Sequence, residues 1–90
     1  MEGADLSGAD LRGAQIEDAN LIELNLADAN LSGANLTGAL LQGAHLKSSR
    51  GLEVATLKGA EADASTMWPP GFDPVAAGIL IRELGYSYTP

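Results

Sequence analysis

The stretch that decides the fold is ANLSGANLTGALLQGAHL, residues 29–46. In it a leucine returns every five residues, from Leu31 to Leu46, and an alanine stands two residues before each leucine. An α-helix turns about 100° per residue, so side chains at this spacing share no common helix face. A straight strand fails as well, because its side chains alternate between two sides and an odd spacing sends successive leucines in opposite directions. The period therefore indicates a chain that bends after each unit.

The same period extends toward the N-terminus and places one large aliphatic residue at the centre of each unit. An alanine and a centre two residues apart point to the same side of an extended segment. The residues that follow each centre include many Gly and Asp, which suit tight corners. Such a chain winds into an all-β solenoid, in which each coil buries its aliphatic side chains only against its neighbours. The predicted core positions are Leu6, Leu11, Ile16, Leu21, Leu26, Leu31, Leu36, Leu41 and Leu46.

The unit Ala-(Asp/Asn)-Leu-x-Gly resembles the repeat of the pentapeptide-repeat family. The resemblance is strong over residues 4–48 and continues with irregularities to residue 66. It implies a right-handed quadrilateral β-helix, and so about three coils within residues 1–66. After Leu46 the period shifts by one residue, so we expect an extra residue and irregular backbone within 47–51. The centres beyond the shift would be Leu52, Leu57, Ala62 and Met67.

Residues 67–90 lose the repeat and form the second part of the same domain. Pro69, Pro70 and Gly71 break the pattern, and Asp73 followed by Pro74 is typical of a helix start. Apolar residues then recur at helical spacing. We predict a short C-terminal α-helical cap over the end of the solenoid, made by Trp68, Phe72, Ile79 and Leu80. Residues 66–74 also resemble the ending of many cyanobacterial pentapeptide-repeat proteins.

The charge is acidic, with 12 Asp and Glu residues against 5 Lys and Arg and a net charge of −7. Direct nucleic-acid binding is not expected from such a surface, whereas a protein partner with a basic surface is. No secretory signal is visible and no apolar run is long enough for a bilayer, which favours a cytoplasmic protein without a membrane partner. A lost leader or a fragment of a longer chain stays open. The acidic residues of the N-terminal coil are Asp5, Asp10, Glu17, Asp18, Glu23 and Asp28.

Catalytic, cofactor and metal sites are not predicted. There are no cysteines to provide a thiolate nucleophile or a metal ligand. His45 occupies an outward position and lacks an expected nucleophile beside it. The calcium-binding nine-residue repeat and the phosphate-binding glycine loop are both missing from the sequence.

Two apolar residues stand where the pattern has polar ones. If four units close a coil, the units of Leu21 and Leu41 stack on one face, and Ile22 and Leu40 lie diagonally across neighbouring coils. They are a candidate protein contact. The asparagines at 20, 25, 30 and 35 are instead expected to stack between coils and hydrogen-bond along the column.

These features predict a non-enzymatic protein-interaction or scaffold module. One alternative is an acidic mimic of DNA that binds a DNA-processing protein such as gyrase, as some pentapeptide-repeat proteins do. Another is a structural spacer from a longer repeat protein. Because the first unit begins at Gly3, a homodimer formed through an end of the solenoid is a further expectation.

Overall fold

The computed structural model describes residues 3–83 and 86–87. Long strands and α-helices do not occur among these residues. The regular elements are a 3₁₀ helix at Leu52–Val54 and the strands β1 (Glu61–Ala62), β2 (Leu80–Glu83) and β3 (Tyr86–Ser87). β1 pairs with β2 in parallel and β2 pairs with β3 antiparallel, in the sheet order β1-β2-β3.

Most of the described chain is held by single parallel bridges between segments twenty residues apart. Asp5 pairs with Asn25, and Asn25 pairs in turn with His45. The Leu6 N–H donates to the Asn25 carbonyl at 2.8 Å, and the Asn25 N–H donates back to the Ala4 carbonyl at 2.9 Å. A repeat of twenty residues contains four five-residue units. The chain is thus a β-helix solenoid whose segments pair at a separation of twenty residues.

The alanines and central leucines line the interior. The leucines at five-residue spacing from Leu21 to Leu46 are at most 2% exposed, and so is Leu24, which replaces an alanine. In the first coil Leu6, Leu11 and Ile16 are partly buried and pack against this core. The difference arises because the first described coil has a stacking neighbour on only one side.

The asparagine side chains bond within their own units and not along the column. The Asn25 Oδ1 atom accepts from the Ala27 N–H at 3.0 Å, and the same bond to the residue two places on recurs at Asn20, Asn30 and Asn35. The stacked-amide interpretation is wrong, because the corner N–H is the nearer donor. These side chains stabilise the corners of the coil.

The irregular segment lies later than the sequence indicates. Arg50 keeps the twenty-residue register opposite Asn30, and Ser49, 8% exposed, takes the inward position of an alanine. The next bridge joins Asn35 to Thr56, which are twenty-one residues apart instead of twenty. The extra residue therefore falls in the 3₁₀ turn that follows Gly51, whose φ of 85° starts a left-handed corner. The expected irregularity at 47–51 is wrong in its position.

A second extra residue precedes Met67. Met67 forms a parallel bridge with His45, twenty-two residues earlier, and the Met67 side chain is 47% exposed. Thr66 is the buried residue, and its Oγ1 donates to the Leu41 carbonyl at 2.8 Å. The prediction of Met67 as a core centre is wrong, because the additional residue moves it to the outer column.

The predicted C-terminal helix does not form in the described residues. The Asp73 carboxylate does accept from the N–H groups of Val75 and Ala76, as a helix cap would. However, Gly78 has a φ of 89° and ends the turn. The Leu80 N–H then donates to the Ala60 carbonyl at 2.8 Å and begins β2. Strand pairing with the last coil replaces helical bonding, and residues 84–85 of the predicted helix lie outside the described residues.

The predicted cap residues fall into two groups. Trp68 and Phe72 are partly buried against the core and stack on each other, with ring centroids 5.3 Å apart. Ile79 is 4% exposed, whereas Leu80 is 48% exposed on the outside of β2. This alternation is that of a strand, whose successive side chains point to opposite sides.

Candidate protein-contact face

The sides of the solenoid carry different outward side chains, and one side is distinctive. We call it the Ile22 face and define it by Asn20, Ile22, Leu40, Gln42 and, on the third coil, Glu61 and Asp63. Leu40 forms bridges with Asn20 on one coil and Glu61 on the next. The Glu23 N–H donates to the Gln42 carbonyl at 2.8 Å, which aligns the Ile22 and Gln42 segments. On the first two coils its outward residues are uncharged.

Ile22 and Leu40 lie diagonally on neighbouring coils, because the Leu21 N–H donates to the Leu40 carbonyl at 2.9 Å. Both side chains are partly buried and partly open to solvent. The Oε1 atom of Gln42, beside them, is buried and accepts no hydrogen bond. The face therefore presents partly open aliphatic surface, beneath which lies a buried acceptor without a donor.

Carboxylates mark the two corners of this face. Asp18 precedes it and Glu23 follows it, with φ angles of 57° and 59°. Most equivalent corners hold glycine, which enters the left-handed region without steric penalty. A residue with a Cβ costs about 1–2 kcal/mol there. Asp28, at a corner of another side, shares this conformation with a φ of 61°.

The same corner carboxylates lie over glycines of the next coil. The Asp18 side chain would collide with a Cβ at Gly38, and the Glu23 Cγ would be 3.1 Å from a Cβ at Gly43. At both corners the acidic side chain occupies space that only a glycine on the next coil leaves free. Neither Asp18 nor Glu23 has a side-chain hydrogen bond or ion pair among residues 3–83 and 86–87.

On the third coil the Ile22 face continues into Glu61 and Asp63. Burial raises the pKa of the Asp63 carboxyl, but hydrogen bonds from the Ser65 side chain and backbone outweigh it and leave the pKa below its ordinary value. The Ser65 Oγ and N–H both donate to Asp63 Oδ1. Asp63 is therefore ionised near neutral pH.

The other predicted acidic residues are exposed on other sides and corners. Asp10 makes a salt bridge with Arg12 at 2.8 Å, and the side-chain hydrogen bond from Arg12 lowers its pKa to about 2. The Ser7 N–H lowers the pKa of Asp5. Glu17 and Asp28 are exposed as well.

Clusters of metal-binding side chains are not found among residues 3–83 and 86–87. Within the part of the chain that the structure describes, no group of acidic and histidine residues could hold a metal ion. His45 is exposed and lies between Asn25 and Met67 in its column. Helices long and apolar enough to cross a bilayer are not found among the described residues either.

The sequence pattern did not reveal an open groove of about 620 Å³ between the 3₁₀ turn and the terminal segment. One wall is formed by residues 49–53 and the other by residues 69–73 with Ala76 and Ala77. The extra residue near Gly51 and the Pro-Pro-Gly break were visible in the sequence, but nothing in it placed them against each other. Gln42, Glu61 and Asp63 were also missed as members of the Ile22 face, although the twenty-residue period could have placed Gln42 beside Ile22.

The chain belongs to the pentapeptide-repeat family. The family profile "Pentapeptide repeats (8 copies)" matches residues 1–26 and 25–50. The solved structure of the pentapeptide repeat protein Rfr23 from the cyanobacterium Cyanothece 51142 is 46% identical, with a TM-score of 0.73. The match covers 76% of this chain and 46% of Rfr23, so this chain spans less than half the length of that relative.

A second similar structure is alr5209, a pentapeptide repeat protein from Nostoc Pcc 7120. It is 31% identical with a TM-score of 0.58, and the match covers 88% of this chain and 77% of alr5209. A comparison with curated proteins finds no match. The two structures support the β-helix solenoid and its resemblance to cyanobacterial proteins.

Proposed function

We propose that this chain is a non-enzymatic protein-interaction module, built as a right-handed quadrilateral β-helix with about three coils. The observation that carries the proposal is the Ile22 face, where the aliphatic side chains of Ile22 and Leu40 stand in place of polar residues of the repeat and stay partly open to solvent. Aliphatic surface of this kind gains free energy when a partner covers it. Pentapeptide-repeat proteins are generally non-enzymatic, which agrees with this proposal.

The test is affinity capture from the source cell with the immobilised chain, followed by reconstitution of the purified pair. Leu36, 1% exposed, provides the control, because Leu36→Asp places a charge in the core and should unfold the solenoid. We expect a small set of proteins that the native chain retains, that free native chain displaces and that the Leu36→Asp variant does not retain. No displaceable protein at low or physiological salt would contradict the proposal.

A second candidate function is mimicry of DNA, favoured by the exposed carboxylates of the first coil. Asp5, Asp10, Glu17 and Asp18 project from neighbouring sides and corners of that coil. Three coils span only about 15 Å, about four base pairs of duplex, which makes the mimic short. Inhibition of gyrase supercoiling by excess protein would support this function, and full supercoiling activity would remove it.

A structural spacer is the remaining alternative, supported by the fact that the chain spans 46% of Rfr23. A spacer would transmit length and rigidity without a partner of its own. The capture experiment separates a spacer from an interaction module, because a spacer predicts no displaceable protein. A homodimer through a solenoid end would appear as a doubled mass in sedimentation of the purified chain.

A further inference from the structure

We propose that the Ile22 face binds a cationic amphipathic segment of a partner protein, with apolar side chains over Ile22 and Leu40 and Lys or Arg beside Asp18 and Glu23. This proposal rests on the proposed function as a protein-interaction module and names the surface and the partner chemistry. It brings together three features of one side of the solenoid: partly exposed aliphatic side chains, unpaired corner carboxylates and a buried acceptor without a donor.

The apolar centre is built from the exceptions to the repeat. The position of Leu40 holds Asn in each of the four preceding units and His45 in the next, and the position of Ile22 holds Ser at Ser7 and Ser32. The fold therefore accepts polar side chains at both positions. The aliphatic residues at 22 and 40 are not needed to line the core, which the leucines fill from inside. Their effect is on the outer surface.

The two carboxylates at the corners of the Ile22 face stand in a backbone conformation that residues with a Cβ disfavour. Asp18 and Glu23 occupy left-handed corners where Gly8, Gly13 and Gly33 show that glycine suffices. Strain at a residue without a local partner motivates a functional hypothesis, and Asp18 and Glu23, unlike Asp28, flank the apolar centre of the face. Both carboxylates are unpaired among the described residues, so they are available to a cation from another molecule.

The charges select the occupant. A second copy of this chain brings a net charge of −7, and nucleic acids and anionic membranes are also negative, so all three are repelled by this margin. A basic protein segment is attracted. Neighbouring coils are about 4.8 Å apart, comparable with the ~5–6 Å between side chains three or four residues apart on a helix. One face of an amphipathic helix can thus place apolar side chains over Ile22 and Leu40 together.

The probe is a fluorescent helical peptide of leucine and lysine with its leucines on one face, titrated with the full chain and followed by anisotropy. The control peptide has the same composition in an order that separates the leucines. We expect the amphipathic peptide to bind more tightly and its affinity to fall with added salt. Equal binding of both peptides, or no binding of either, overturns the proposal.

Two sets of variants locate the site. Ile22→Ser with Leu40→Asn introduces residues that the repeat already accepts, and should weaken binding about tenfold or more without unfolding the chain. Asp18→Gly with Glu23→Gly should also weaken binding, yet raise the melting temperature because the corner strain is relieved. A purely structural role for these carboxylates would not lower affinity while raising stability.

Asp28→Gly is the matched control. It is matched to each of the single variants Asp18→Gly and Glu23→Gly, because it relieves left-handed strain at one corner and removes one negative charge, but at a corner away from the Ile22 face. It should raise the melting temperature and leave peptide affinity nearly unchanged. Equal weakening by Asp28→Gly and by either corner variant of the Ile22 face would indicate attraction by net charge alone and overturn the proposal. If a captured partner still binds the Ile22→Ser, Leu40→Asn variant, the Ile22 face is not the binding site, although the proposed function as an interaction module is retained.

Discussion

At the residue scale, Gly51 determines how the coil accommodates its extra residue. It is buried and has a φ of 85°. A Cβ at this position would lie 2.5 Å from the backbone N and 2.7 Å from the Cα of Ser32 on the preceding coil. Backbone atoms in a stacked coil cannot move away cheaply. The residue therefore has to be glycine for two independent reasons.

Gly51→Ala should destabilise the chain by about 2–5 kcal/mol, since left-handed strain and overlap with backbone add together. Gly59→Ala is the control, because Gly59 has a φ of 73° but open space around its Cβ. That variant should lose only about 1–2 kcal/mol. Urea denaturation of both variants gives the two values, and equal losses would argue against the close approach of Gly51 to Ser32.

Asp10 provides a prediction about pH at the same scale. Its folded pKa of about 2 lies below the model-compound value of 3.8 because Arg12 donates hydrogen bonds to the ionised carboxylate. The ionised form therefore favours the folded state above pH 3.8, and this contribution is lost as the pH falls from there toward about 2. Arg12→Gln should move the Asp10 pKa up toward its ordinary value.

Carboxyl ¹³C chemical shifts measure this titration directly. Asp5 is an internal reference, because its pKa is lowered chiefly by the Ser7 N–H, which the Arg12→Gln variant leaves in place. A shift of Asp10 with Asp5 unchanged is the expected result. An Asp10 titration that ignores the loss of Arg12 would mean that the ion pair does not persist in solution.

At the scale of elements, the repeat could be predicted from the sequence and the departures from it could not. From Leu6 to Leu46 each unit repeats the same local conformation, so a local rule of spacing suffices. The placement of Arg50 needs knowledge of the pairing with Asn30, which lies twenty residues away. The helix expected after Asp73 has suitable local signals, but pairing of Leu80 with Ala60 overrides them. Long-range hydrogen bonds decide where local propensities compete.

The candidate site shows the same division. Ile22 and Leu40 could be identified as exceptions to the pattern, and four-sided closure placed them together. The left-handed strain at Asp18 and Glu23 could not be read from composition, because it depends on which corner position each residue occupies. Only the backbone angles separate an acidic surface in general from two strained carboxylates at the margins of one face.

The terminal segment yields a prediction about an element. Ile79 is 4% exposed and anchors the start of β2, while its neighbour Leu80 is 48% exposed. Ile79→Asp should detach the segment, so that Trp68 separates from Phe72 and from the core and its fluorescence emission moves to longer wavelength. Leu80→Asp should leave the emission nearly unchanged. Similar emission shifts in both variants would contradict the alternation of inward and outward side chains in β2.

At the scale of the whole molecule, the charge of the outward side chains changes from coil to coil along the solenoid axis. The first coil carries the acidic residues Asp5, Asp10, Glu17 and Asp18. The third coil carries the basic residues Lys47, Arg50 and Lys58, and each lies on a side of the solenoid that has an acidic residue on the first coil. Every coil depends on its neighbours for hydrogen bonds and for burial of leucine. A fold of this kind is defined by its register between coils more than by any single element.

The most direct test of this account is a map of amide–amide nuclear Overhauser effects in the perdeuterated chain. The register predicts contacts between adjacent coils that link segments twenty residues apart up to Asn30 and Arg50. The separation should grow to twenty-one for Asn35 with Thr56 and to twenty-two for His45 with Met67. Contacts three and four residues apart along residues 4–48, without the twenty-residue set, would contradict the solenoid and the face it presents.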